Sequence, residues 1–347
     1  MLVDLDLLEN NISGAASFFS GKGVHWRPHA KGHKIPAIAH LQLAAGAIGI
    51  TCAKLGEAEV MAAAGIRSIL VSSQVVGPQK ATRLANLNRQ AEVIAAIDSP
   101  ENARELDAAA RLKGVRIPVV VEVDIGMQRC GVKPGEPVVE LAQVTGELAG
   151  LKFLGVMGWE GHVRRIRDRC RRRAACEEAV SMLVQSADLC RLRGIPVEIV
   201  SCGGTGTEEF SSAVPGVTEF QAGGIIFNDE YYAALGLTNE PALKVISTVI
   251  SRPDPRRIVT DAGKKTMSND AAVPRPLGLV GVEAVRFSAE HSAIMLEKPT
   301  WEYRVGDRLE WVVGYGDTTI CLHDEVFGVR SGIVEVVWPV AGRGKLR

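Results

Sequence analysis

Eight short apolar runs alternate with amphipathic segments in the first two thirds of the chain, and this alternation limits the possible folds. The runs span residues 25–29, 49–53, 68–73, 92–97, 118–124, 153–159, 197–201 and 219–227. Intervening segments such as 101–112 and 176–192 carry apolar residues three and four positions apart, which is helical periodicity. Because strand-helix alternation favours parallel strands covered by helices, eight such units predict a closed (β/α)8 barrel.

The pattern changes after about residue 241. Short β-rich runs then follow one another, separated by Gly, Pro and Asp turns and without long helical periodicity. We therefore predict a (β/α)8 barrel of the TIM type over residues 8–237, followed by a mostly antiparallel β domain over 238–347. Residues 1–7 could also belong to the second domain.

Composition excludes several classes of partner. The 347 residues contain 40 Lys plus Arg and 40 Asp plus Glu, so no global positive field favours nucleic acid or an anionic membrane. Seven dispersed cysteines without a CxxC pattern indicate neither a disulfide framework nor a zinc knuckle, and a reducing cytoplasm fits them best. No apolar run approaches the roughly 20 residues of a membrane span. We expect a cytoplasmic protein that binds small molecules.

Glycine-rich segments follow the seventh run and lie in the eighth, where barrels commonly bind phosphate. Glycine allows backbone N–H groups to approach an anion closely, and threonine hydroxyls add donors. A single glycine turn is more often only a turn, but two of them on adjacent strands favour phosphate. The predicted phosphate-binding residues are Gly204, Thr205, Gly206, Gly223 and Gly224.

Lys31 follows the first run and is the candidate reactive amine. Arg27, His29, His33 and Lys34 surround it in sequence. Cationic neighbours favour the free amine that Schiff-base formation needs. A phosphate cradle and a reactive lysine in one barrel mouth predict a site for pyridoxal phosphate. A sugar phosphate is the alternative, although its Schiff-base lysine would more typically lie on a later strand.

Seven arginines between residues 164 and 173 could suggest a nucleic-acid patch. With no net charge and few aromatic residues nearby, a solvated start of the long helix is the better interpretation. Arg164 and Arg165 differ because they directly follow the sixth run. Either guanidinium could hold a substrate carboxylate through two parallel hydrogen bonds.

Five segments in order resemble the D-threonine aldolase and D-serine dehydratase-like family. They are RPHAKGHK at 27–34, CAKLGEA at 52–58, GMQRCGV at 126–132, GGTGT at 203–207 and VWPVA at 337–341. The resemblance implies the alanine racemase fold, fold type III, with pyridoxal phosphate as cofactor. It also implies that Lys31 carries the cofactor, that Arg129 lies near its phenolic oxygen, and that the enzyme is a homodimer.

Three residues depart from the family pattern around the cofactor and the substrate. Residues 314–319 read GYGDTT where the family has a metal-binding GHCDPT-like segment, so Tyr315 replaces the imidazole ligand and only Asp317 remains. A divalent metal is therefore doubtful, and we expect Tyr315 to take its place. Trp159 replaces the tyrosine that meets the pyridine nitrogen of the cofactor. Arg165 replaces the histidine near the substrate hydroxyl.

The leading hypothesis is a lyase that cleaves a D-β-hydroxy-α-amino acid, or a close analogue, by a retro-aldol reaction. His162, Arg165 or Tyr315 would then assist the β-hydroxyl, because no metal would acidify it. The alternatives are a racemase or epimerase that uses Lys31 and Tyr315, a β-hydroxy amino acid dehydratase, and a non-catalytic pyridoxal phosphate carrier. The second domain counts against the carrier.

Overall fold

A computed structural model describes all residues from 1 to 347. The chain forms two compact units. One contains Met1–Ile12 and Gly224–Arg343, and the other contains Ser13–Gly223 and Gly344–Arg347. The boundaries at residues 8 and 237 that the sequence suggests stay predictions.

The strands, numbered along the chain, are β1 (Leu2–Asp4), β2 (His25–Trp26), β3 (Ile50–Cys52), β4 (Ser68–Val71), β5 (Glu92–Ile97), β6 (Ile117–Glu122), β7 (Leu151–Met157), β8 (Ile199–Cys202), β9 (Glu219–Phe220), β10 (Leu243–Asp254), β11 (Arg257–Thr260), β12 (Arg275–Pro276), β13 (Val282–Phe287), β14 (Ser292–Leu296), β15 (Arg308–Val312), β16 (Glu325–Arg330) and β17 (Ile333–Pro339).

The helices are α1 (Leu5–Lys22), α2 (Pro36–Ala44), α3 (Leu55–Ala63), α4 (Pro78–Leu87), α5 (Pro100–Lys113), α6 (Glu136–Glu147), α7 (Arg169–Leu192), α8 (Glu208–Ser211), α9 (Glu230–Ala233) and α10 (Gly316–Thr319). No helix combines the length and apolar character that a membrane span requires.

The barrel unit is built on one parallel sheet in the order β2-β9-β8-β7-β6-β5-β4-β3. Each strand lies in one of the eight predicted runs or overlaps most of it. A parallel bridge between His29 and Thr51 joins the two edge strands beyond β2, and the amide of Thr51 donates to the carbonyl of Pro28 at 2.8 Å. The predicted parallel barrel and antiparallel β domain are confirmed.

Local sequence explains these elements. All six residues of β6 are buried, which fits a parallel strand covered on both faces. Helix α5 begins where Ser99 caps the amide of Asn102 at 3.2 Å with Pro100 next in the chain, and it ends at Gly114 with a φ of 64°. These are the usual helix start and stop signals.

The β domain has strand order β13-β14-β11-β10-β1-β16-β17, with β15 pairing to both β10 and β12. All of these pairs are antiparallel except β1 with β16. Trp311 is fully buried in this domain, and its indole N–H donates to Ser247 Oγ at 2.8 Å.

The side chain of Arg27 is not one of the cations around Lys31, contrary to the expectation from the sequence. Its side chain reaches the amino-terminal end of the barrel, where Nε donates to both Glu219 carboxylate oxygens at 3.1 and 3.0 Å and NH1 donates to Ser68 Oγ at 2.9 Å. Ser68 and Glu219 are the first residues of β4 and β9. Arg27 and Glu219 are 4% and 3% exposed, so the ion pair is desolvated.

This buried pair predicts an asymmetric mutational response. Arg27→Met leaves the Glu219 carboxylate buried without its cation and should cost about 3–5 kcal/mol of unfolding free energy. The double variant Arg27→Met with Glu219→Leu should recover most of that loss, as measured by urea unfolding. Arg83→Met, which breaks an exposed pair with Glu59, is the matched control and should cost about 1 kcal/mol or less. A double variant no more stable than Arg27→Met would contradict the electrostatic explanation.

Candidate active site

Lys31 lies at the carboxyl-terminal end of the barrel, in a 3₁₀ turn over Ala30–Gly32 that follows the His29–Thr51 bridge. The backbone N–H of Lys31 donates to His29 Nδ1 at 3.3 Å. The other ring nitrogen of His29 lies 3.3 Å from Ser72 Oγ. The two contacts of the His29 ring thus fix the turn that presents the Lys31 side chain.

The His29 imidazole is neutral in this site. Burial lowers the pKa of His29 well below its usual value, and the charges of Lys31, Lys34, His33 and Arg129 lower it further. Because Nδ1 accepts from the Lys31 amide, the proton of a neutral ring belongs on Nε2, from which it can be donated to Ser72.

Lys34 is held by a different group. Its side-chain nitrogen forms an ion pair with Glu57, and both side chains are almost fully buried. The Glu57 carboxylate also accepts from the amides of Ala53 at 2.8 Å and Lys54 at 3.3 Å, at the start of α3. Lys34 therefore stabilises the Lys31 loop as one member of a buried ion pair.

Trp159 follows β7, and three cations lie close to its ring. Lys31 Nζ and Arg129 Cζ are each 5.3 Å from the ring centroid, and Arg164 Cζ is 4.8 Å from it. Each distance falls within the range of a cation-π interaction. Trp159 thus brings Lys31 and Arg129, two predicted site residues, together with Arg164.

Arg129 is also coupled to Glu122, the last residue of β6. Its NH2 lies 3.7 Å from a carboxylate oxygen of Glu122, and the amide of Gln74 donates to the other oxygen. Burial raises the pKa of Glu122, while these two partners oppose the shift. The sequence analysis did not find this network.

The glycine loop after β8 has no room for side chains at two positions. Gly203 has a φ of 79°, and a Cβ there would overlap the Phe220 ring. A Cβ on Gly204 would lie 2.9 Å from Trp159 Nε1. Thr207 Oγ1 donates to the buried Glu160 carboxylate at 2.7 Å, which fixes the end of the loop. The structure therefore places the predicted glycine loop directly beside Trp159.

Gly206 donates its amide to a carboxylate of the loop itself. Its N–H lies 2.5 Å from Glu208 Oε2, and burial raises the pKa of Glu208. Sequence analysis missed Glu208, although the acidic residue directly after the glycine motif was visible. Thr205 is buried, and a Cβ on Gly223 would clash with the His29 carbonyl.

The segment after Trp159 forms a 3₁₀ turn over Gly161–Arg165. The His162 ring packs against Gly126, and its buried Nδ1 has no hydrogen-bond partner. Arg165 is exposed, whereas Arg164 is half-buried. Helix α7 begins at Arg169 with exposed arginines, as the solvated interpretation predicts, although Arg172 is buried.

Tyr315 and Asp317 lie in the β domain at the start of α10. The Tyr315 hydroxyl donates to Asp317 Oδ2 at 2.9 Å. Edge-on contacts link the Tyr315 ring to Tyr231 and Tyr232, with centroids 5.1 and 5.9 Å away. A Cβ on Gly224 would overlap the Tyr232 ring. Nowhere in the chain do three His, Cys, Asp or Glu side chains form a group that could hold a metal ion.

Asp229 supports this aromatic cluster and was not singled out in the sequence. Its carboxylate accepts from the amide of Tyr232 at 2.8 Å and from that of Gly316 at 2.7 Å. Burial raises the pKa of Asp229 to about 7, and the charge of Asp317 contributes in the same direction. A signal was present, since Asp229 occupies the N-cap position of α9.

Comparison with known proteins gives consistent matches over both units. Residues 3–230 match the alanine racemase N-terminal domain, and residues 242–329 match a serine dehydratase domain. The chain is 37% identical to a D-threonine aldolase from Arthrobacter sp., covering 99% of this chain and 92% of the relative. It is 34% identical to a 3-hydroxy-D-aspartate aldolase from Paracoccus denitrificans (strain Pd 1222), with the same coverage.

A solved structure is similar over the whole chain. The crystal structure of D-threonine aldolase from Filomicrobium marinum superposes with a TM-score of 0.96 at 36% identity. The alignment covers 100% of this chain and 95% of that one.

The raised pKa of Asp229 predicts a pH-dependent stability. A carboxyl group whose pKa is higher in the folded than in the unfolded protein favours folding when protonated, so its contribution declines as pH rises from about 4 to about 7. The variant Asp229→Asn loses one hydrogen-bond acceptor. The difference between its melting temperature and that of wild type should nevertheless shift in favour of the variant as pH rises from about 4 to about 7, and should stay constant above pH 7. Asp254→Asn, at an exposed carboxylate that also accepts a backbone amide, is the control. Parallel pH profiles for wild type and Asp229→Asn would refute this assignment.

Proposed function

This chain belongs to the family of the alanine racemase N-terminal domain, and from this membership we propose a pyridoxal-phosphate-dependent lyase that cleaves a D-β-hydroxy-α-amino acid by a retro-aldol reaction. The resemblance drawn from the five sequence segments is confirmed. The observation that carries the proposal is the position of Lys31 beside Trp159, next to the glycine loop, in a chain with full-length similarity to two aldolases.

The residues present fit the cofactor. The glycine loop already holds one anion, since the amide of Gly206 donates to a carboxylate. Side chains at Gly203 and Gly204 would collide with Phe220 and Trp159, and Lys31 Nζ lies 5.3 Å from the centroid of the same Trp159 ring. When bound, pyridoxal phosphate supplies an electron sink for the carbanion left by Cα–Cβ cleavage.

We assign roles to residues of the chain accordingly. Lys31 would attach the cofactor, and the backbone donors of Gly204, Thr205, Gly206, Gly223 and Gly224 would bind its phosphate. Arg129 would hold the phenolic oxygen, and Trp159 would pack against the cofactor. These assignments are supported by the Trp159 cluster and by the tight packing at the glycines.

His162 is the best-supported proton acceptor for the substrate hydroxyl. Its buried Nδ1 has no hydrogen-bond partner, so it can take up a proton without breaking an existing contact. Tyr315 and Arg165 remain proposed assistants. Arg164, half-buried against the Trp159 ring, is better placed than exposed Arg165 to hold the substrate carboxylate.

A dehydratase is the second candidate, because residues 242–329 match a serine dehydratase domain. A panel of D- and L-β-hydroxy amino acids, assayed for aldehyde, oxo acid and inverted amino acid, separates cleavage from dehydration and racemisation. The predicted cytoplasmic location and homodimeric assembly stay predictions.

The family's divalent metal does not fit the residues present. The Asp317 carboxylate accepts a hydrogen bond from Tyr315, and a phenol stands in place of the imidazole that gives such a site its preference for transition metals. We therefore propose that Tyr315, oriented by Asp317, acts in place of the metal.

Borohydride reduction of the cofactor-bound protein should attach the cofactor to Lys31, because the neighbouring Lys34 amine is committed to Glu57. Peptide mapping by mass spectrometry identifies the labelled lysine. Lys31→Arg should abolish labelling, whereas Lys54→Arg, at the exposed lysine before α3, should leave it intact. A label on Lys34 or Lys54 would overturn the assignment.

Tyr315→Phe removes the hydroxyl that contacts Asp317 but keeps the ring. If Tyr315 positions or transfers a proton, turnover should drop about 10²- to 10⁴-fold while cofactor affinity is unchanged. Tyr303→Phe, at an exposed hydroxyl bonded to the Gly278 carbonyl, is the matched control. Full activity of Tyr315→Phe would refute the proposed role of Tyr315 in proton transfer or positioning. Wild-type activity that is lost with EDTA and restored by manganese would also refute it.

A further inference from the structure

The carboxylate of Glu208 accepts a hydrogen bond from the glycine loop that we propose binds the phosphate. Its Oε2 is 2.5 Å from the amide nitrogen of Gly206, one of the predicted phosphate donors. Backbone hydrogen bonds from Thr207 and from Glu208 itself also stabilise the ionised carboxylate. One proposed phosphate donor, the Gly206 amide, is therefore already directed at the Glu208 carboxylate, together with the amides of Thr207 and Glu208.

No cationic side chain compensates the charge of the buried Glu208 carboxylate. It forms no salt bridge, whereas the adjacent Glu209 is exposed and paired with Arg169. Burial raises the pKa of Glu208, and only the backbone amides oppose this shift substantially. An acid held in this way depends on these backbone donors for its charge, and one of them, the Gly206 amide, is a proposed phosphate donor.

We propose that Glu208 occupies the phosphate position in the cofactor-free protein and must leave it when pyridoxal phosphate binds. This inference rests on the proposed function, since it concerns the same cofactor. The two anions compete for the Gly206 amide, and like charges at such separation repel strongly in a partly buried site. Glu208 thus lowers the affinity for the phosphate group and keeps the loop donors satisfied when the cofactor is absent.

The test compares full-length wild type, Glu208→Gln, Glu208→Ala and the control Glu209→Gln after removal of the cofactor. Glu208→Gln keeps an acceptor and removes the charge, and Glu208→Ala removes both. Absorbance titration should give a dissociation constant for pyridoxal phosphate about tenfold lower in both Glu208 variants. Glu209→Gln should match wild type. Pyridoxal, which lacks the phosphate, should bind all four proteins equally.

Inorganic phosphate provides a readout that is independent of the ring and of activity. It should raise the melting temperature of the cofactor-free Glu208 variants more than that of wild type or Glu209→Gln. If Glu208→Ala does not fold without cofactor, the Glu208→Gln measurement decides.

Failure of this inference can be distinguished from failure of the proposed function. If wild type prefers pyridoxal phosphate over pyridoxal but the Glu208 variants bind it no tighter, Glu208 only stabilises the loop and the inference is wrong. If wild type binds pyridoxal as tightly as pyridoxal phosphate, the glycine loop holds no phosphate and the cofactor placement itself fails.

Discussion

Closure of the parallel sheet is the constraint on which the site depends. Strands β2 and β9 have only two residues each, so the sheet closes through the His29–Thr51 bridge and the contact of the Thr51 amide with Pro28. That bridge lies two residues before Lys31 in the chain. The hydrogen bonds that complete the barrel therefore also fix the turn that carries the candidate reactive amine, and the His29 ring extends this support to Ser72.

The sequence was sufficient to predict the number of barrel strands and the change to an antiparallel domain, because apolar periodicity reports burial directly. It could not show where Arg27 points. A residue directly after a two-residue strand can face either end of the barrel, and register alone directs this guanidinium to Glu219. Sequence neighbours of Lys31 consequently differ in role. His29 accepts a hydrogen bond from the Lys31 amide, and Lys34 forms an ion pair with Glu57. Arg27 forms an ion pair with Glu219 at the opposite end of the barrel.

For the candidate site, too, the sequence predicted some features and not others. Position after a strand identified Lys31 and the glycine loop, and the family resemblance identified Trp159; the three do lie together. The hydrogen bond of Glu208 with Gly206 was not predictable, because it depends on which amides a side chain meets after the backbone has turned. The raised pKa of Asp229 was not predictable either, because it comes from burial in the folded chain, which outweighs the amides that the carboxylate accepts from. Local composition specifies that an acid is present, but burial and donor geometry decide its charge.

The cations of the barrel fall into two groups: some contact a buried carboxylate and stabilise the fold, and others contact the ring of Trp159 in the candidate site. Arg27 and Lys34 are buried against carboxylates, so each pair is neutral as a unit and stabilises the fold. Lys31, Arg129 and Arg164 each contact the indole of Trp159, and an aromatic face attracts a cation without cancelling its charge. Burial raises the pKa of Glu122, the carboxylate beside Arg129, and Arg129 opposes that shift. Trp159 thus brings three cations together at the end of the barrel where we propose that a phosphate and a substrate carboxylate bind.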